Sequence, residues 1–314
     1  MGQRIEGLHH VTAIAGDPQR NLDFYAGVLG LRLVKLTVNF DDPATYHLYY
    51  GDAEGRPGSI LTFFPWPGAP RGRAGTGQVT TVMFSIPQAA AGYWNERLAA
   101  KGIPCRTEER FGAEALAFAD PDGLPLELVA NDDARAPWAG GPVPVAQAIR
   151  GIYGVTLAEE GYERTAGLLI GTLNFDKTEE RGSRFRFETG DGGAGAVADV
   201  ECLPDRAPGR LGVGTVHHVA WRAPDDASQL RWHDKVARAG ANVTPVIDRK
   251  YFHSIYFREP GGVLFEVATD PPGFAVDEPA AELGTHLMLP PWLEPGRAEL
   301  EQALPPLRLQ AAGA

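Results

Sequence analysis

A single glutamate stands where a plain core strand would not carry one. Glu266 falls late in the apolar stretch Tyr256–Val267, after the turn signal Glu259–Gly262, so it belongs to the second strand of a predicted hairpin. Between Phe265 and Val267, its carboxylate either faces solvent or is buried with a partner, because an unpaired buried carboxylate costs too much free energy. The obvious partner is a metal ion shared with a histidine.

Histidines suited to that role occur twice in the same tripeptide. His-His-Val at residues 9–11 recurs at residues 217–219. His10, His218 and Glu266 would form a set of two histidines and one carboxylate, which leaves coordination positions open and is used by non-haem Fe(II) oxygenases. The alternative is two core strands with satisfied histidines and a surface glutamate, since a lone histidine is usually not a ligand. The duplication favours the metal.

Composition and charge exclude several classes of partner. The 314 residues exceed one average domain and suggest two domains of roughly 150 residues. A hydrophobic fraction of 44% and a charged fraction of 22% are those of an ordinary globular protein. The net charge of −11 and the pI of about 5.2 argue against a nucleic-acid or anionic-membrane partner.

Cysteine usage and the first residues predict a cytoplasmic protein. Cys105 and Cys202 have no CxxC spacing, so neither a disulfide framework nor a zinc site is indicated, which fits a reducing compartment. No apolar signal-peptide core follows Met1, and no uncharged apolar run is long enough to cross a bilayer.

Four segments share one order of elements: a short strand, a helix, then strands that end in a hairpin with a glycine turn. The segments, called modules one to four, are 5–67, 77–131, 149–203 and 215–270. The predicted helices are 22–29, 89–101, 162–169, 227–239 and 295–304. The predicted fold class is α+β, with four tandem βαβββ modules paired into two open half-barrels. We expect one domain at 1–140, another at 141–275, and a tail at 276–314 that packs across them.

Aligning the modules indicates which of them could hold a metal. Thr-Thr at 80–81 in module two and Tyr-Gly at 153–154 in module three replace the paired histidines. Glu127 is the counterpart of Glu266 in module two, but no histidine accompanies it, and we interpret it as structural. Phe63 takes that place in module one, and no glutamate falls in register in module three. Modules one and four are therefore predicted to pair around the metal, and modules two and three to form a metal-free scaffold.

Several stretches, taken in order, match one known family. They are Gly7–Thr12, Thr37–Pro43, Tyr46–Asp52, Leu61–Trp66, Val216–Trp221, Tyr256–Val267 and Leu289–Glu294. With the tandem βαβββ repeat, they resemble the vicinal oxygen chelate superfamily, and within it the hydroquinone-cleaving dioxygenases, over nearly the whole chain. The resemblance implies an enzyme that uses Fe(II), or Mn(II), to split a small aromatic diol with both atoms of O₂. We also expect a homo-oligomer.

The resemblance assigns roles to individual residues. His10, His218 and Glu266 match the metal ligands, and Tyr256 matches the tyrosine that hydrogen-bonds substrate oxygen. The remaining matches to residues near the metal are Arg249, Thr12, His217 and His9. One departure from the catechol-cleaving relatives is that they carry an acid–base histidine on the strand ahead of the tyrosine, where this chain reads Val246-Ile247-Asp248-Arg249. His253 is out of phase with Tyr256 and is expected at the surface.

Strand geometry supports part of this assignment. Thr12 lies two residues after His10, so alternation places both on one face. Pairing about the turn near residue 261 sets Tyr256 opposite Glu266, and opposed residues share a face. His9 and His217 are out of phase and should point away from that face, unless the strand ends or bulges there. An arginine such as Arg249 would stabilise a phenolate, and a tyrosine could move a proton.

Two other functions compete with ring cleavage. A glyoxalase-like metal-dependent isomerase or transferase would share the fold, since fold does not fix function. Glyoxalases usually need a fourth protein ligand, commonly a second carboxylate, and Phe63 occupies that place. A metal-free resistance or binding module would have no need of the paired His-His-Val strands.

Overall fold

Two eight-stranded sheets, each curled into a half-barrel, make up most of the computed structural model, which describes residues 4–309. The strands of the first two modules are β1 (Leu8–Ala15), β2 (Arg32–Asn39), β3 (Asp42–Gly51), β4 (Ile60–Pro65), β5 (Gln78–Pro87), β6 (Arg106–Arg110), β7 (Ala113–Ala119) and β8 (Pro125–Asn131). Those of the last two are β9 (Gly151–Glu159), β10 (Asp176–Arg181), β11 (Arg184–Glu188), β12 (Val197–Cys202), β13 (Thr215–Ala223), β14 (Ile247–Asp248), β15 (Phe252–Arg258) and β16 (Leu264–Pro272).

The helices are short and lie between the strands. They are α1 (Pro18–Leu22), α2 (Ala91–Ala100), α3 (Glu163–Gly171), α4 (Asp226–Arg238) and α5 (Arg297–Ala303). A π-helix, Asp23–Val28, continues α1, so the helix predicted over 22–29 has a wider turn than an α-helix. Trp94 of α2 and Trp232 of α4 are fully buried, because each helix presents an apolar stripe to the core.

Strand order pairs the modules as predicted. The first sheet has the order β14-β15-β16-β13-β1-β4-β3-β2 and so joins modules one and four. The second, β10-β11-β12-β9-β5-β8-β7-β6, joins modules two and three. At the centre of the first sheet, β1 and β13 pair antiparallel, and each is flanked by a parallel strand of its own module. The fold class is confirmed, whereas the domain boundaries at 140 and 275 stay a prediction.

Two strands escaped the sequence analysis. β6 and β10 are the outermost strands of the second sheet, with the sequences Arg-Thr-Glu-Glu-Arg and Asp-Lys-Thr-Glu-Glu-Arg. Every residue of β10 is exposed. Charged residues on an edge strand discourage pairing with another chain, but they remove the apolar alternation by which a strand is recognised.

The tail packs mainly against module one. The ammonium group of Lys35, which is fully buried, donates to Asp277 at 2.7 Å and also pairs with Glu278. The hydroxyl of Tyr46 donates to the carbonyl oxygen of Pro305 at 2.9 Å. The predicted tail helix, 295–304, is observed as Arg297–Ala303. Within residues 4–309, no helix is long and apolar enough to span a membrane.

Candidate metal centre

Three strands of the first sheet bring the predicted ligands to one point. His10 lies on β1, His218 on β13 and Glu266 on β16, and all three side chains are buried. Nε2 of His10 is 3.3 Å from Nε2 of His218, and Oε2 of Glu266 is 3.3 Å from the first nitrogen and 2.9 Å from the second. Ligands on one face of an octahedral ion, each about 2.1 Å from it, lie about 3 Å apart. The trio therefore has the spacing of a coordinating face.

The surroundings of Glu266 fit a cation better than a closed hydrogen-bond network. Its Oε1 accepts a hydrogen bond of 2.5 Å from Ser254, whereas Oε2 meets only the two imidazoles among the described residues. Burial alone would raise the pKa of Glu266, but His10 and His218 hold it well below its usual value. The group is thus an ionised, buried carboxylate that lacks a full set of donors, and a metal ion would compensate it.

A hydrogen bond behind His10 fixes which of its nitrogens faces the other ligands. Nε2 of His9 lies 3.1 Å from the carbonyl oxygen of Thr269, so this nitrogen carries a hydrogen and donates it. Burial, and then His10, lowers the pKa of His9 to about 3, so its ring is neutral and Nδ1 has a lone pair. Nδ1 of His10, 2.9 Å away, must donate to that lone pair. Nε2 of His10 is therefore the nitrogen free to bind a metal.

Two β-bulges place neighbouring histidines side by side. The register of β1 against β13 shifts by one residue at His9 and again at His217, so each is the extra residue of a bulge. The alternation of side chains along the strand is interrupted at both positions. This is the exception stated above for His9 and His217 if the strand bulges. The ring of His217 consequently lies beside His218, with their Nδ1 atoms 2.8 Å apart. Burial, and then His218, lowers the pKa of His217 to about 3, so this ring is also neutral.

His10 and His218 border a cavity of about 420 Å³, and Glu266 is fully buried beside them. Four of the other predicted site residues form part of the cavity wall, namely Thr12, His217, Arg249 and Tyr256. His9 lies behind the ligands instead, with its ring 5.1 Å from that of His10. Much of the remaining wall is aromatic, contributed by Phe40, His47, Tyr49, Phe64, Trp66 and Phe252. Such a cavity suits a flat, one-ring ligand.

Tyr256 and Arg249 form a polar pair in the cavity wall. Tyr256 pairs directly with Glu266 across the hairpin, which confirms the register predicted from the turn. Nε of Arg249 donates to the Tyr256 hydroxyl at 3.3 Å, and a second guanidinium nitrogen donates to Asp41 at 2.8 Å. Burial, followed by Glu266, raises the pKa of Tyr256, so the phenol is protonated. Burial would lower the pKa of Arg249, but Tyr256 and Asp41 raise it, so the guanidinium is charged.

Sequence alignment misplaced one position and missed another. Thr62, not Phe63, is the module-one counterpart of Glu266, because β4 places Thr62 opposite Thr12 as β16 places Glu266 opposite Ala220. Phe63 is fully buried, and its ring packs against that of Tyr25. His47, within the stretch Tyr46–Asp52, also lines the cavity, although its sequence context gives no sign of this. His253 lies away from the trio and contacts Asp226 at 2.6 Å, as expected.

The half-barrel pairing and the two-histidine, one-glutamate face together define a protein of the vicinal oxygen chelate type. The chain belongs to the Glyoxalase/Bleomycin resistance protein/Dioxygenase superfamily, whose sequence profile matches residues 7–128 and 153–267.

Similar proteins in that superfamily are named for ring cleavage. MhqO of Bacillus subtilis (strain 168), provisionally named a ring-cleaving dioxygenase, is 48% identical over 311 residues, 99% of both chains. The chlorohydroquinone/hydroquinone 1,2-dioxygenase of Sphingobium indicum is 37% identical over 309 residues, 95% of both chains. A crystal structure of a Bacillus subtilis protein provisionally named a dioxygenase superposes with a TM-score of 0.95 at 48% identity, covering 98% of this chain and 99% of that one.

Proposed function

We propose that this protein is a non-haem Fe(II), extradiol-type dioxygenase that cleaves a substituted hydroquinone with both atoms of O₂. The observation that carries the proposal is the trio of His10, His218 and Glu266, whose two histidines line an aromatic-walled cavity of about 420 Å³ together with Arg249 and Tyr256. The names of the two relatives described above support ring cleavage, and one of them supports hydroquinone as the substrate class.

His10, His218 and Glu266 would hold Fe(II), or Mn(II) in its place, and such an ion supplies open positions at which a diol and O₂ can exchange electrons. His9 contributes by keeping His10 in the tautomer that presents Nε2. His217 stands in the same relation to His218 but also reaches the cavity wall. We therefore assign His9 to positioning and His217 to both positioning and substrate contact.

The polar pair, Arg249 and Tyr256, would act on the substrate itself. The charged guanidinium of Arg249 stabilises negative charge on a substrate oxygen and so favours the electron-rich diolate. Tyr256 is protonated and can donate to an oxygen on which charge develops. Thr12 provides a further hydroxyl in the cavity wall, from the strand that carries His10. β14 carries no acid–base histidine. We therefore expect the enzyme to prefer para-dihydroxy rings over catechols.

The residues around the candidate metal centre support a glyoxalase-type reaction less well. The position that could add a second carboxylate to the trio is occupied by Thr62, which cannot act as a charged ligand. Three protein ligands leave room for two exogenous ones, as a reaction between a diol and O₂ requires.

Oxygen uptake and metal analysis test the proposal together. Purified protein should hold about one Fe or Mn per chain and should consume O₂ with methyl- or chlorohydroquinone faster than with catechol, yielding a product heavier by two oxygen atoms. Tyr256→Phe should keep the metal and lose about 10²-fold in kcat, since proton transfer by a placed side chain is worth about 10²–10⁴. Tyr46→Phe, on the tail side of the sheet, is the matched control. A higher kcat/KM for catechol, or full turnover by Tyr256→Phe, would contradict the assignment.

A further inference from the structure

A continuous chain of hydrogen bonds leads through the cavity wall to Thr12. The Tyr49 hydroxyl lies 2.8 Å from Nδ1 of His47, and Nε2 of His47 lies 2.8 Å from Oγ1 of Thr62. Oγ1 of Thr62 is in turn 3.0 Å from Oγ1 of Thr12. Tyr49, Thr62 and Thr12 are buried, and His47 is half-buried at the cavity surface. The four side chains come from β1, β3 and β4, so the chain crosses three adjacent strands.

One direction of donation is consistent along the whole chain. Within residues 4–309, the Tyr49 hydroxyl has His47 as its hydrogen-bond partner, and in this direction its hydrogen points at Nδ1. A neutral imidazole that accepts at Nδ1 carries its hydrogen on Nε2, so His47 donates to Thr62. Thr62 then has its own hydrogen left for Thr12. Because the Thr12 oxygen already accepts, its hydrogen is the one free to leave the chain.

The ring of His47 is held in place by packing as well as by these bonds. Its centroid lies 4.0 Å from that of Tyr49 and 4.3 Å from that of Phe64. Burial, followed by His10 and His218, holds the pKa of His47 well below its usual value, so the ring is neutral. Thr12 pairs directly with His218 across β1 and β13 and borders the same cavity. The free hydrogen of the Thr12 hydroxyl therefore lies in the cavity wall that would surround a bound ligand.

We infer that His47 is a positioning residue which, with Tyr49 and Thr62, orients the hydroxyl of Thr12 as a donor toward the oxygen of a bound diol. The inference rests on the proposed function for the identity of the ligand, but the direction of the chain does not. An isolated threonine hydroxyl rotates freely and can accept as readily as donate. Fixing it as a donor favours an ionised substrate oxygen over a protonated one, because only the former accepts without a competing hydrogen.

The tautomer of His47 can be measured without turnover. In metal-free protein labelled with ¹⁵N in its 8 histidines, the His47 signals are identified by their loss in His47→Gln. We expect His47 to carry its hydrogen on Nε2 in the wild type and to show a mixture of tautomers in Tyr49→Phe. A hydrogen on Nδ1 in the wild type would reverse the chain and overturn the inference. This result holds whether or not the protein oxidises hydroquinones, so failure of the proposed function is recognised separately.

A double-mutant cycle tests whether the chain acts through Thr12. Thr62→Val and Thr12→Val should each lower kcat/KM for methylhydroquinone about tenfold, the value of one oriented hydrogen bond, with metal content unchanged. The double variant should lose no more than Thr12→Val alone. Thr156→Val, at the equivalent position of the second sheet, should retain wild-type turnover. If Thr62→Val costs as much in the Thr12→Val background as in the wild type, its effect is structural and the inference fails.

Discussion

The two half-barrels have two equivalent backbone positions beside their central strands and fill them with different side chains. In the first sheet, Glu266 on β16 and Thr62 on β4 occupy equivalent positions beside the central strands. In the second, those positions belong to Glu127, which pairs with Met83, and to Asp199, which pairs with Thr156. The bulges also recur, because the register of β5 against β9 shifts at the two places that match those of the first sheet. Backbone geometry alone therefore does not make a metal site.

Arginines take the place of a metal in the second half-barrel. Glu127 accepts from Arg110, with a shortest distance of 2.6 Å. Asp199 accepts from two nitrogens of Arg186 at 2.8 and 3.0 Å, and a third nitrogen donates to Tyr153. A fixed guanidinium satisfies a buried carboxylate and leaves no open position for a ligand. The histidines of the first half-barrel instead leave one carboxylate oxygen of Glu266 to a cation.

The same substitution at the two equivalent glutamates tests this comparison most directly. Glu266→Gln should lose the metal, and turnover should fall by more than about 10³-fold, since even the partners behind a ligand are worth about 10- to 100-fold. Glu127→Gln should keep the metal content and the turnover of the wild type and should only lower the melting temperature. Elemental analysis and oxygen uptake on the two purified variants provide the measurement. Loss of metal from Glu127→Gln would show that the second sheet is not merely a scaffold.

The half that holds the candidate metal centre was largely predictable from the sequence because its key residues lie next to local signals. The turn Glu259–Gly262 fixes the hairpin register, so Tyr256 opposite Glu266 followed directly. The parallel pairing of β1 with β4 has no connecting turn to set its register, and Phe63 was chosen over Thr62 by one residue. Gly30 is another local signal, since it follows the first helix with a positive φ of 73°, a conformation that glycine favours.

What the sequence did not reveal depends on partners far along the chain. The bulge at His217 exists only through pairing with β1, so alternation within β13 could not show it. Asp199 is the module-three counterpart of Glu266, but it stands in a strand, Val197–Cys202, whose pairing with β9 is again parallel. β10 gave no apolar pattern because all of its residues are exposed. Cross-strand register was missing, and so was the existence of β6 and β10, because a charged edge strand carries no apolar pattern.

Arg186 offers a second test, directed at stability. Arg186→Met would leave the carboxylate of Asp199, which is fully buried, without its main cation, and breaking a buried pair costs about 3–5 kcal/mol. Arg181→Met removes the exposed pair with Glu109 in the same sheet and should cost far less, because solvent screens an exposed ion pair. Urea unfolding of both variants gives the two values. If both variants lose the same free energy of unfolding, the buried arginine pairs are not the central support of the second half-barrel.

A buried carboxyl pair joins the two half-barrels. Glu159 is the last residue of β9, and Glu259 stands at the turn that leads into β16. Glu259 accepts from the Thr165 hydroxyl at 2.7 Å and from the backbone N–H of Val263 at 2.8 Å, so it is well supplied with donors as a carboxylate. Glu159 has no such donor among the described residues. Glu159 is therefore the member of the pair that keeps a proton.

A dependence of stability on pH follows from that proton. Burial, and then Glu259, raises the pKa of Glu159 to about 9, whereas an unfolded glutamate titrates at about 4.3. Between these values the folded protein binds one proton more than the unfolded chain, so the free energy of unfolding falls as the pH rises, by at most about 1.4 kcal/mol per pH unit. Glu159→Gln keeps a neutral side chain at every pH and should flatten this dependence between pH 6 and pH 9. Urea unfolding across that range measures the slope, with the exposed neighbour variant Glu160→Gln as the control that should retain it. An unchanged slope in Glu159→Gln would show that the extra proton is bound elsewhere. The contact between the half with the candidate metal centre and the arginine-filled half would then not be sensitive to pH.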